Sequence, residues 1–314
     1  MRIIFFGLGS IGERHVKALQ ENYHHELFAF RSRESGAKNS LHIREVFTWK
    51  EVEQIKPDVA FITNPTAKHI ETATQCAKRG MHLFIEKPID SEAKHLNQLL
   101  KIVSNKKLTT YVAYVLRFHP VVQTFKKYAE NDQPLHMRVW TSSYLPKWRK
   151  GNDHLKRYSA QTQLGGGVIW DLSHEFDYAQ FILGDIQTIK GQFSRRSQLT
   201  VNTEDYADIL VETKKAPVNI HLNFFSHIPQ RIIQIDFKDK TIVGDLIDGT
   251  LAEYRKGKLF KKIQFKSGYQ ESFDRQLKYF FKNIYNPKMM NNLNEAAPLF
   301  RKIYTFKNKG AFGG

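Results

Sequence analysis

A lysine follows a predicted buried strand directly, in Ile85-Glu86-Lys87-Pro88-Ile89. Ligands of open α/β sheets bind beyond the carboxyl ends of the strands, so Lys87 is expected at the ligand-binding edge of such a sheet. A lysine that is partly desolvated there, next to a positive charge, loses proton affinity and becomes usable as a general acid or base. An isolated Lys-Pro pair is more often a solvent-exposed lysine after a strand, so the catalytic interpretation depends on the neighbouring motifs.

The first twelve residues are an apolar strand that runs into Gly7-x-Gly9-x-x-Gly12. Gly7 permits the tight turn after the strand, Gly9 lets backbone N–H groups approach a pyrophosphate, and Gly12 lets the next helix pack close to the sheet. The N-terminus of that helix, at Ser10 and Ile11, directs its dipole at the phosphates. The motif therefore predicts a dinucleotide-binding site.

The second predicted strand ends in Phe30-Arg31-Ser32-Arg33, where NAD enzymes usually place an acid that binds the ribose hydroxyls. Two guanidinium groups and a hydroxyl suit a 2′-phosphate instead, because arginine forms bidentate, charge-assisted hydrogen bonds. We therefore expect Arg31, Ser32 and Arg33 to favour NADP(H) over NAD(H). The alternative is a basic surface turn in a basic protein.

Three segments carry a resemblance to a known family: the glycine loop, Phe61-Ile-Thr-Asn-Pro-Thr-Ala-Lys-His69 and Gly80-Met-His-Leu-Phe-Ile-Glu-Lys-Pro88. Their order and spacing resemble the Gfo/Idh/MocA family of NAD(P)-dependent oxidoreductases. The resemblance continues through Val115-Leu-Arg-Phe-His-Pro120 and Gly165-Gly-Gly-Val-Ile-Trp-Asp-Leu-Ser-His-Glu-Phe-Asp177, and it covers nearly the whole chain. It implies hydride transfer between a nicotinamide and a carbon of a sugar or nucleotide-sugar, with Lys87 as the catalytic lysine. It also allows a cis peptide bond before Pro88. The implied cofactor contacts, besides the glycine loop and Lys87, are Thr63, Asn64, Pro65, His69 and Glu86.

The second catalytic contribution is expected from the helix after the glycine triplet. Asp171, His174 and Tyr178 lie on one face of a regular helix, so all three could reach one ligand. Typical family members have Asp-x-x-x-His-x-x-Asp, whereas two residues separate Asp171 from His174 here. The resemblance implies His174 as the catalytic histidine, with Glu175 as its rival for that position. A histidine on an apolar helix is otherwise more often a core residue with satisfied hydrogen bonds.

Substrate contacts are predicted from Lys87, Arg117, Asp171 and His174, with Trp148 and Tyr158 available to stack on a sugar ring. Aromatic residues in a long loop are as often local packing. The segment Ser143-Tyr-Leu-Pro-Lys-Trp148 resembles a branch associated with surface-polysaccharide sugar biosynthesis. An anionic substrate, either acidic or nucleotide-linked, is predicted from the basic residues expected around the nicotinamide crevice. These are Arg117, His119, Lys147, Arg149 and Arg157.

The predicted fold is an α/β N-terminal Rossmann domain with a doubly wound parallel sheet over residues 1–118, followed by an α+β domain over residues 119–314. The second domain is expected to have a large, mostly antiparallel open sheet, with the C-terminal helix around 294–306 able to return to the first domain. The first-domain strands are predicted near 2–6, 27–30, 59–63, 82–85 and 109–115. Its helices are predicted at 11–20, after a Thr48–Glu51 capping box, at 67–79 with Gly80 as a left-handed cap, and from Ser91 to 103. A helix near 121–129 and strands near 136–141, 188–194, 206–212, 218–224 and 232–237 are predicted for the second domain.

The chain has a formal net charge of +17, and 14 Lys and Arg against three acids lie between Arg255 and Lys309, so 14 − 3 = +11 of that charge falls in the last fifth. A solvated basic surface is the favoured explanation; no recognition motif accompanies the charge, which disfavours nucleic-acid binding. The alternative function is a non-catalytic, dinucleotide-sensing binding protein that docks an acidic partner through this basic surface.

The single cysteine, Cys76, is predicted as a small buried residue. We further expect a cytoplasmic homo-oligomer, dimer or tetramer, with no metal site and no membrane partner.

Overall fold

The computed structural model describes residues 1–31, 39–148, 158–266 and 269–309. The chain divides into two compact units. The first comprises Met1–Ala113 and Tyr279–Pro298, and the second comprises Tyr114–Lys278 and the chain from Leu299 onward. The last two helices, α8 (Tyr269–Lys282) and α9 (Leu293–Lys309), each contribute residues to both units.

The first unit is built on a six-stranded parallel sheet with helices between the strands. Its strands are β1 (Arg2–Phe6), β2 (Glu26–Phe30), β3 (Arg44–Val46), β4 (Val59–Ile62), β5 (His82–Ile85) and β6 (Thr110–Val112). Its helices are α1 (Ser10–Asn22), α2 (Trp49–Ile55), α3 (His69–Lys78) and α4 (Leu96–Asn105). The strand order is β3-β2-β1-β4-β5-β6, and the ladders within it are parallel. This order confirms the predicted doubly wound Rossmann sheet, in which the strand order reverses between β1 and β4.

Local signals in the sequence explain several element ends in this unit. Thr48 and Glu51 form the predicted capping box at the start of α2. Gly80, with φ of +83°, ends α3 in the left-handed region, which a residue without Cβ adopts readily. One predicted boundary is wrong. His95 rather than Ser91 precedes α4, because the Asp90 carboxylate accepts hydrogen bonds from the N–H groups of Ser91 and Glu92 and holds that segment as a turn.

The second unit contains an eight-stranded, mostly antiparallel sheet. Its helices are α5 (Pro120–Asn131), α6 (Val168–Asp171) and α7 (His174–Leu183). Its strands are β7 (Pro134–Tyr144), β8 (Ile186–Ser194), β9 (Tyr206–Thr213), β10 (Pro217–Asn223), β11 (Phe225–Phe237), β12 (Thr241–Asp245), β13 (Thr250–Arg255) and β14 (Lys258–Gln264). The order is β14-β13-β12-β11-β7-β10-β9-β8, and β10 and β7 are parallel neighbours. The prediction of a large antiparallel sheet is confirmed, although β12, β13 and β14 were not predicted.

The structure corrects two further expectations. The strand predicted over 109–115 ends at Val112, and Val115 belongs to a 3₁₀ turn, Val115–Phe118. The single helix predicted after the glycine triplet is two helices, α6 and α7. Ser173 N–H donates to Trp170 O at 3.3 Å, three residues back, and the backbone leaves regular α-helical geometry at Leu172. Asp171 and His174 therefore do not share one face of a regular helix.

Candidate functional site

The glycine loop lies at the carboxyl edge of β1, directly before α1. Gly7 has φ of +111°, and a Cβ there would lie 2.6 Å from the backbone nitrogen of Asn64. A Cβ on Gly12 would lie 2.2 Å from Gly7 O, so both positions exclude a side chain. A Cβ on Gly9 meets nothing within 4 Å. The two tight glycines thus shape the turn, and Gly9 faces open space.

The loop after β4 packs against the glycine loop. Thr63 Oγ1 donates to Gly7 O at 2.6 Å, and Thr63 N–H donates to Phe6 O at 3.0 Å. Asn64 and Pro65 follow on the same edge, half-buried and exposed respectively. Because β1 and β4 flank the point where the strand order reverses, these residues lie where open α/β sheets bind ligands.

The loop after β5 contains Glu86, Lys87 and Pro88, with a cis peptide bond between Lys87 and Pro88. Buried Glu86 Oε1 lies 2.7 Å from Nε2 of His15, which is itself buried in α1 between Phe61 and Phe84. Glu86 thereby joins this loop to α1. The Lys87 side chain is half-buried.

His69 links the loops after β4 and β5. Its ring nitrogens lie 2.9 Å from Asn64 O and 2.9 Å from Pro88 O, and the side chain is buried. The predicted cofactor residues His69 and Glu86 thus both contact neighbouring loops in this structure. Their direct contacts with a cofactor stay a prediction.

Arg31 lies at the carboxyl end of β2 and pairs with a carboxylate that the sequence did not suggest. Its guanidinium nitrogen is 2.8 Å from Oε1 of Glu45 on β3, and Asn39 Nδ2 donates to the same oxygen at 3.0 Å. The Glu45 carboxylate therefore lies beside Arg31, the residue predicted to bind a 2′-phosphate. Ser32 and Arg33 lie outside the described residues.

The segment around α6 and α7 is deeply buried, including Asp171 and His174. The His174 ring packs edge-on against Tyr114 with 5.8 Å between ring centroids. Burial, with the nearby Asp177 carboxylate, raises the pKa of Tyr114, so this phenol stays neutral. Tyr178 is also fully buried, and burial raises its pKa well above the usual value.

Glu175 is fully buried and held by an ion pair. Its Oε1 is 2.7 Å from the Arg231 guanidinium and accepts a hydrogen bond from Thr141 Oγ1 at 2.8 Å. Burial disfavours the charged guanidinium, but the adjacent Glu175 carboxylate raises the pKa of Arg231 overall. The ion pair joins α7 to β11, and the Thr141 hydrogen bond joins α7 to β7. Glu175, the alternative to His174 as the catalytic group, therefore joins α7 to the sheet of the second unit.

Arg117, predicted to orient substrate, forms a buried bidentate ion pair with Asp177. Its Nε and NH2 donate to the two carboxylate oxygens at 2.9 and 2.7 Å. This geometry is specific to arginine and fixes α7 against the 3₁₀ turn that contains Arg117. Its contact with substrate stays a prediction.

The predicted substrate loop is partly described. Trp148 is exposed; its Nε1 donates to Ser143 Oγ at 2.8 Å, and its ring packs edge-on against Phe224. Lys147 is also exposed. Arg149, Arg157 and the side chain of Tyr158 lie outside the described part of the structure.

His119 does not supply the positive charge that the sequence suggested. It is buried at the start of α5, where Nδ1 accepts a hydrogen bond from Val121 N–H at 3.3 Å. Burial, together with the positive charge of Arg231, lowers its pKa from 6.5 to about 4. The imidazole is therefore neutral at pH 7 and cannot attract an anionic substrate by charge.

A contact from α9 supports the glycine triplet, and sequence reasoning missed it. Lys307 Nζ donates to Glu204 Oε1 at 2.6 Å and to Gly166 O at 3.3 Å. A Cβ on Gly167, whose φ is +109°, would lie 2.3 Å from the same glutamate oxygen. The partners are far apart in sequence and follow no motif, so no local signal predicted them.

The donor set of the first unit fits a dinucleotide pyrophosphate. The N-cap residue of α1 is Gly9, which has no side chain to cap the helix and leaves space there for a ligand. Backbone N–H groups at a helix N-terminus favour an anion in such a space.

No cluster of three or more His, Cys, Asp or Glu suited to a metal ion occurs in the parts of the chain that the structure describes. Cys76 is buried as predicted, and burial raises the pKa of its thiol.

Comparison with known proteins defines the class. Residues 1–114 match the family model for the oxidoreductase family with NAD-binding Rossmann fold, and residues 132–243 match the GFO/IDH/MocA C-terminal domain. The chain belongs to the Gfo/Idh/MocA oxidoreductase family. Inositol 2-dehydrogenase of Rhizobium meliloti is 28% identical over 190 residues, which cover 59% of this chain and 56% of that protein. Myo-inositol 2-dehydrogenase of Thermotoga maritima is 24% identical over 195 residues, 59% of this chain and 55% of that protein. The chain thus spans just over half of the length of these relatives.

Solved structures share the fold over the whole chain. Levoglucosan dehydrogenase in complex with NADH has a TM-score of 0.87 at 16% identity, covering 99% of this chain and 97% of that one. UDP-N-acetylglucosamine 3-dehydrogenase from Acidithiobacillus ferrooxidans has a TM-score of 0.79 at 16% identity, covering 99% of this chain and 98% of that one. At this identity the similarity establishes the fold alone.

Proposed function

We propose that this chain is an NAD(P)-dependent dehydrogenase or reductase of a sugar or nucleotide-sugar. The observation that supports this most directly is the carboxyl edge of the parallel sheet, where the glycine loop and Lys87 follow β1 and β5. Family membership adds the reaction class, and relatives named as inositol dehydrogenases support a polyhydroxylated substrate.

In this proposal Lys87 exchanges a proton with the substrate hydroxyl or carbonyl oxygen. A nicotinamide dinucleotide, when bound, accepts or supplies the hydride. His174 is the second proton-transfer group, and Asp171 orients the substrate. Glu175 is the alternative for that role, and the binding of its Oε1 by Arg231 and Thr141 favours His174.

The proposed cofactor is NADP(H), with NAD(H) as the alternative. Arg31 supports NADP(H), since it ends β2 where the adenosine ribose binds in Rossmann folds. Its pairing with Glu45 lowers the net positive charge there, so the preference should be modest. Ser32 and Arg33 contribute to this argument through the sequence alone.

The proposed substrate carries negative charge, as a nucleotide-linked or acidic sugar, with a place in surface-polysaccharide sugar biosynthesis. Because His119 is neutral and Arg117 is paired with Asp177, this part of the proposal rests on Lys147, together with Arg149 and Arg157 as its sequence neighbours. A homo-oligomer, dimer or tetramer, is also proposed by analogy with the family.

A substrate panel tests the proposal. Neutral sugars, inositols, uronic acids and nucleotide sugars would be assayed by NADPH and NADH absorbance at two salt concentrations. Turnover of a sugar-class substrate supports the dehydrogenase, and a salt-sensitive kcat/KM supports an anionic one, because salt screens exposed charges. Tight binding of reduced cofactor without turnover on any substrate would favour the dinucleotide-sensing alternative.

A further inference from the structure

The basic charge of the C-terminal region is concentrated on one hairpin, formed by β13 and β14. Within this hairpin and the residues just after it, six cationic side chains accompany a single acid, Glu253. The six are Arg255, Lys256, Lys258, Lys261, Lys262 and Lys266. Glu253 is buried and already paired with Arg255 and the Tyr128 hydroxyl. The five lysines are all exposed, and the described residues provide none of them with an ion pair.

The same hairpin exposes large apolar side chains. The exposed fractions of Leu259 and Phe260 are 54% and 60%, and that of Tyr254 is 38%. The Arg255 guanidinium lies 4.0 Å from the centroid of the Phe260 ring. β14 is the last strand of the sheet, so its residues are exposed on both faces, apart from half-buried Ile263. Cationic and apolar groups therefore share the hairpin at this edge of the sheet.

Edge protection alone does not explain this composition. Lysines on an edge strand discourage pairing with another strand, which accounts for the charge. Exposed Leu259 and Phe260 would instead promote aggregation, which is what edge protection prevents. A second copy is a poor partner, because antiparallel pairing of two β14 strands would bring lysines against lysines.

We propose that the β13–β14 hairpin is a docking surface for an anionic lipid bilayer. The lysines would bind headgroup phosphates, and Leu259, Phe260 and Tyr254 would enter the boundary between headgroups and acyl chains. Basic residues combined with exposed apolar and aromatic side chains are the composition that binds such an interface. Single-stranded nucleic acid offers stacking partners for Phe260 and Tyr254 but none for the aliphatic Leu259.

This surface would lie on a membrane rather than cross it. No helix in the described parts of the chain has the length and apolar character that a crossing requires. The inference is independent of the proposed enzymatic reaction. It also departs from the sequence-based expectation of no membrane partner, since only the structure shows that the apolar residues next to these lysines are exposed.

The test is co-sedimentation of the full chain with vesicles of phosphatidylcholine, alone or with roughly a third phosphatidylglycerol. We expect binding to the anionic vesicles only, weakening with salt. The triple variant Lys258→Glu, Lys261→Glu, Lys262→Glu should lower the partition coefficient by about 100-fold or more, at roughly fivefold per neutralised lysine. A matched variant, Lys94→Glu, Lys101→Glu, Lys106→Glu, makes the same change in net charge at exposed sites on the first unit and should retain most binding.

The pair Leu259→Ser, Phe260→Ser separates lipid from other polyanions, because it leaves the charge unchanged. We expect a loss of vesicle binding of about tenfold, with the melting temperature preserved since both side chains are exposed. Equal losses in both lysine variants, or equal binding to neutral vesicles, would overturn the proposal. Binding of a single-stranded RNA oligonucleotide without vesicle binding would assign the hairpin to nucleic acid instead.

Discussion

The Glu45 carboxylate lies 2.8 Å from the Arg31 guanidinium, so the residue predicted to select a 2′-phosphate has a competing anion beside it. The two residues belong to neighbouring parallel strands, with Glu45 in β3 and Arg31 directly after β2. Any phosphate that binds Arg31 must share this guanidinium with Glu45. Cofactor preference in this chain is therefore a balance between the two side chains.

Glu45→Gln should shift the balance toward NADP(H). Removing the negative charge frees Arg31 and reduces repulsion of a phosphate, so the ratio of NADPH to NADH affinity should rise by roughly tenfold. Fluorescence titration with both reduced cofactors measures the ratio. Glu53→Gln is the control, because Glu53 also pairs with an arginine, Arg79, but in α2. If only NADH binding weakens in Glu45→Gln, Glu45 itself binds the ribose hydroxyls.

Lys87→Met should lower kcat by a factor of about 10² to 10⁴, the usual contribution of a general acid–base group. The dissociation constant for the cofactor should change little, because the glycine loop and α1 are untouched. The control is Lys94→Met, an exposed lysine before α4. Unchanged kcat in Lys87→Met would remove Lys87 from the mechanism.

His174→Ala and Glu175→Gln should affect different properties. The histidine change should lower kcat on the same scale as Lys87→Met, with a loss of stability smaller than that of Glu175→Gln, because alanine leaves a cavity beside Tyr114. The glutamine change leaves Arg231 charged in a mostly buried position, so it should lower the free energy of unfolding by about 3 kcal/mol. Urea unfolding and steady-state kinetics on both variants separate the roles. A normal stability with lost activity in Glu175→Gln would make Glu175 the catalytic group.

Local sequence patterns predicted the elements that local physics determines. The glycine loop, the Thr48–Glu51 capping box and the left-handed Gly80 each depend on residues within a few positions of one another. The alternation of apolar strands with helices predicted the doubly wound parallel sheet of the first unit, and the family resemblance implied its Rossmann fold.

The features that the sequence did not predict either depend on contacts between distant residues or lack a periodic pattern of apolar residues. β14 is exposed on both faces, so its sequence shows no alternation of apolar and polar residues that would mark a strand. β3 has only three residues, and without it Glu45 could not be placed beside Arg31. The ion pairs of Arg117 with Asp177 and Arg231 with Glu175 join residues about 60 positions apart, which no motif indicates.

The neutral, buried His119 should make stability depend on pH in a defined window. Its pKa is about 4 in the folded chain, lowered from 6.5 by burial and by Arg231. Between these values the unfolded chain binds more protons, so the free energy of unfolding falls as pH drops from about 6.5 to about 4. The full loss from this residue is on the order of 3 kcal/mol.

His119→Asn isolates this contribution, because asparagine retains a side-chain acceptor for the Val121 N–H at the start of α5 but does not titrate in this range. Carboxylates elsewhere titrate in both proteins, so the informative quantity is the difference between the two pH profiles. Urea unfolding at several pH values between about 4 and 7.5 should give a shallower decline for the variant. Parallel profiles would show that His119 is protonated at the same pH in the folded and unfolded chains, and would contradict the neutral state on which the argument about substrate charge depends.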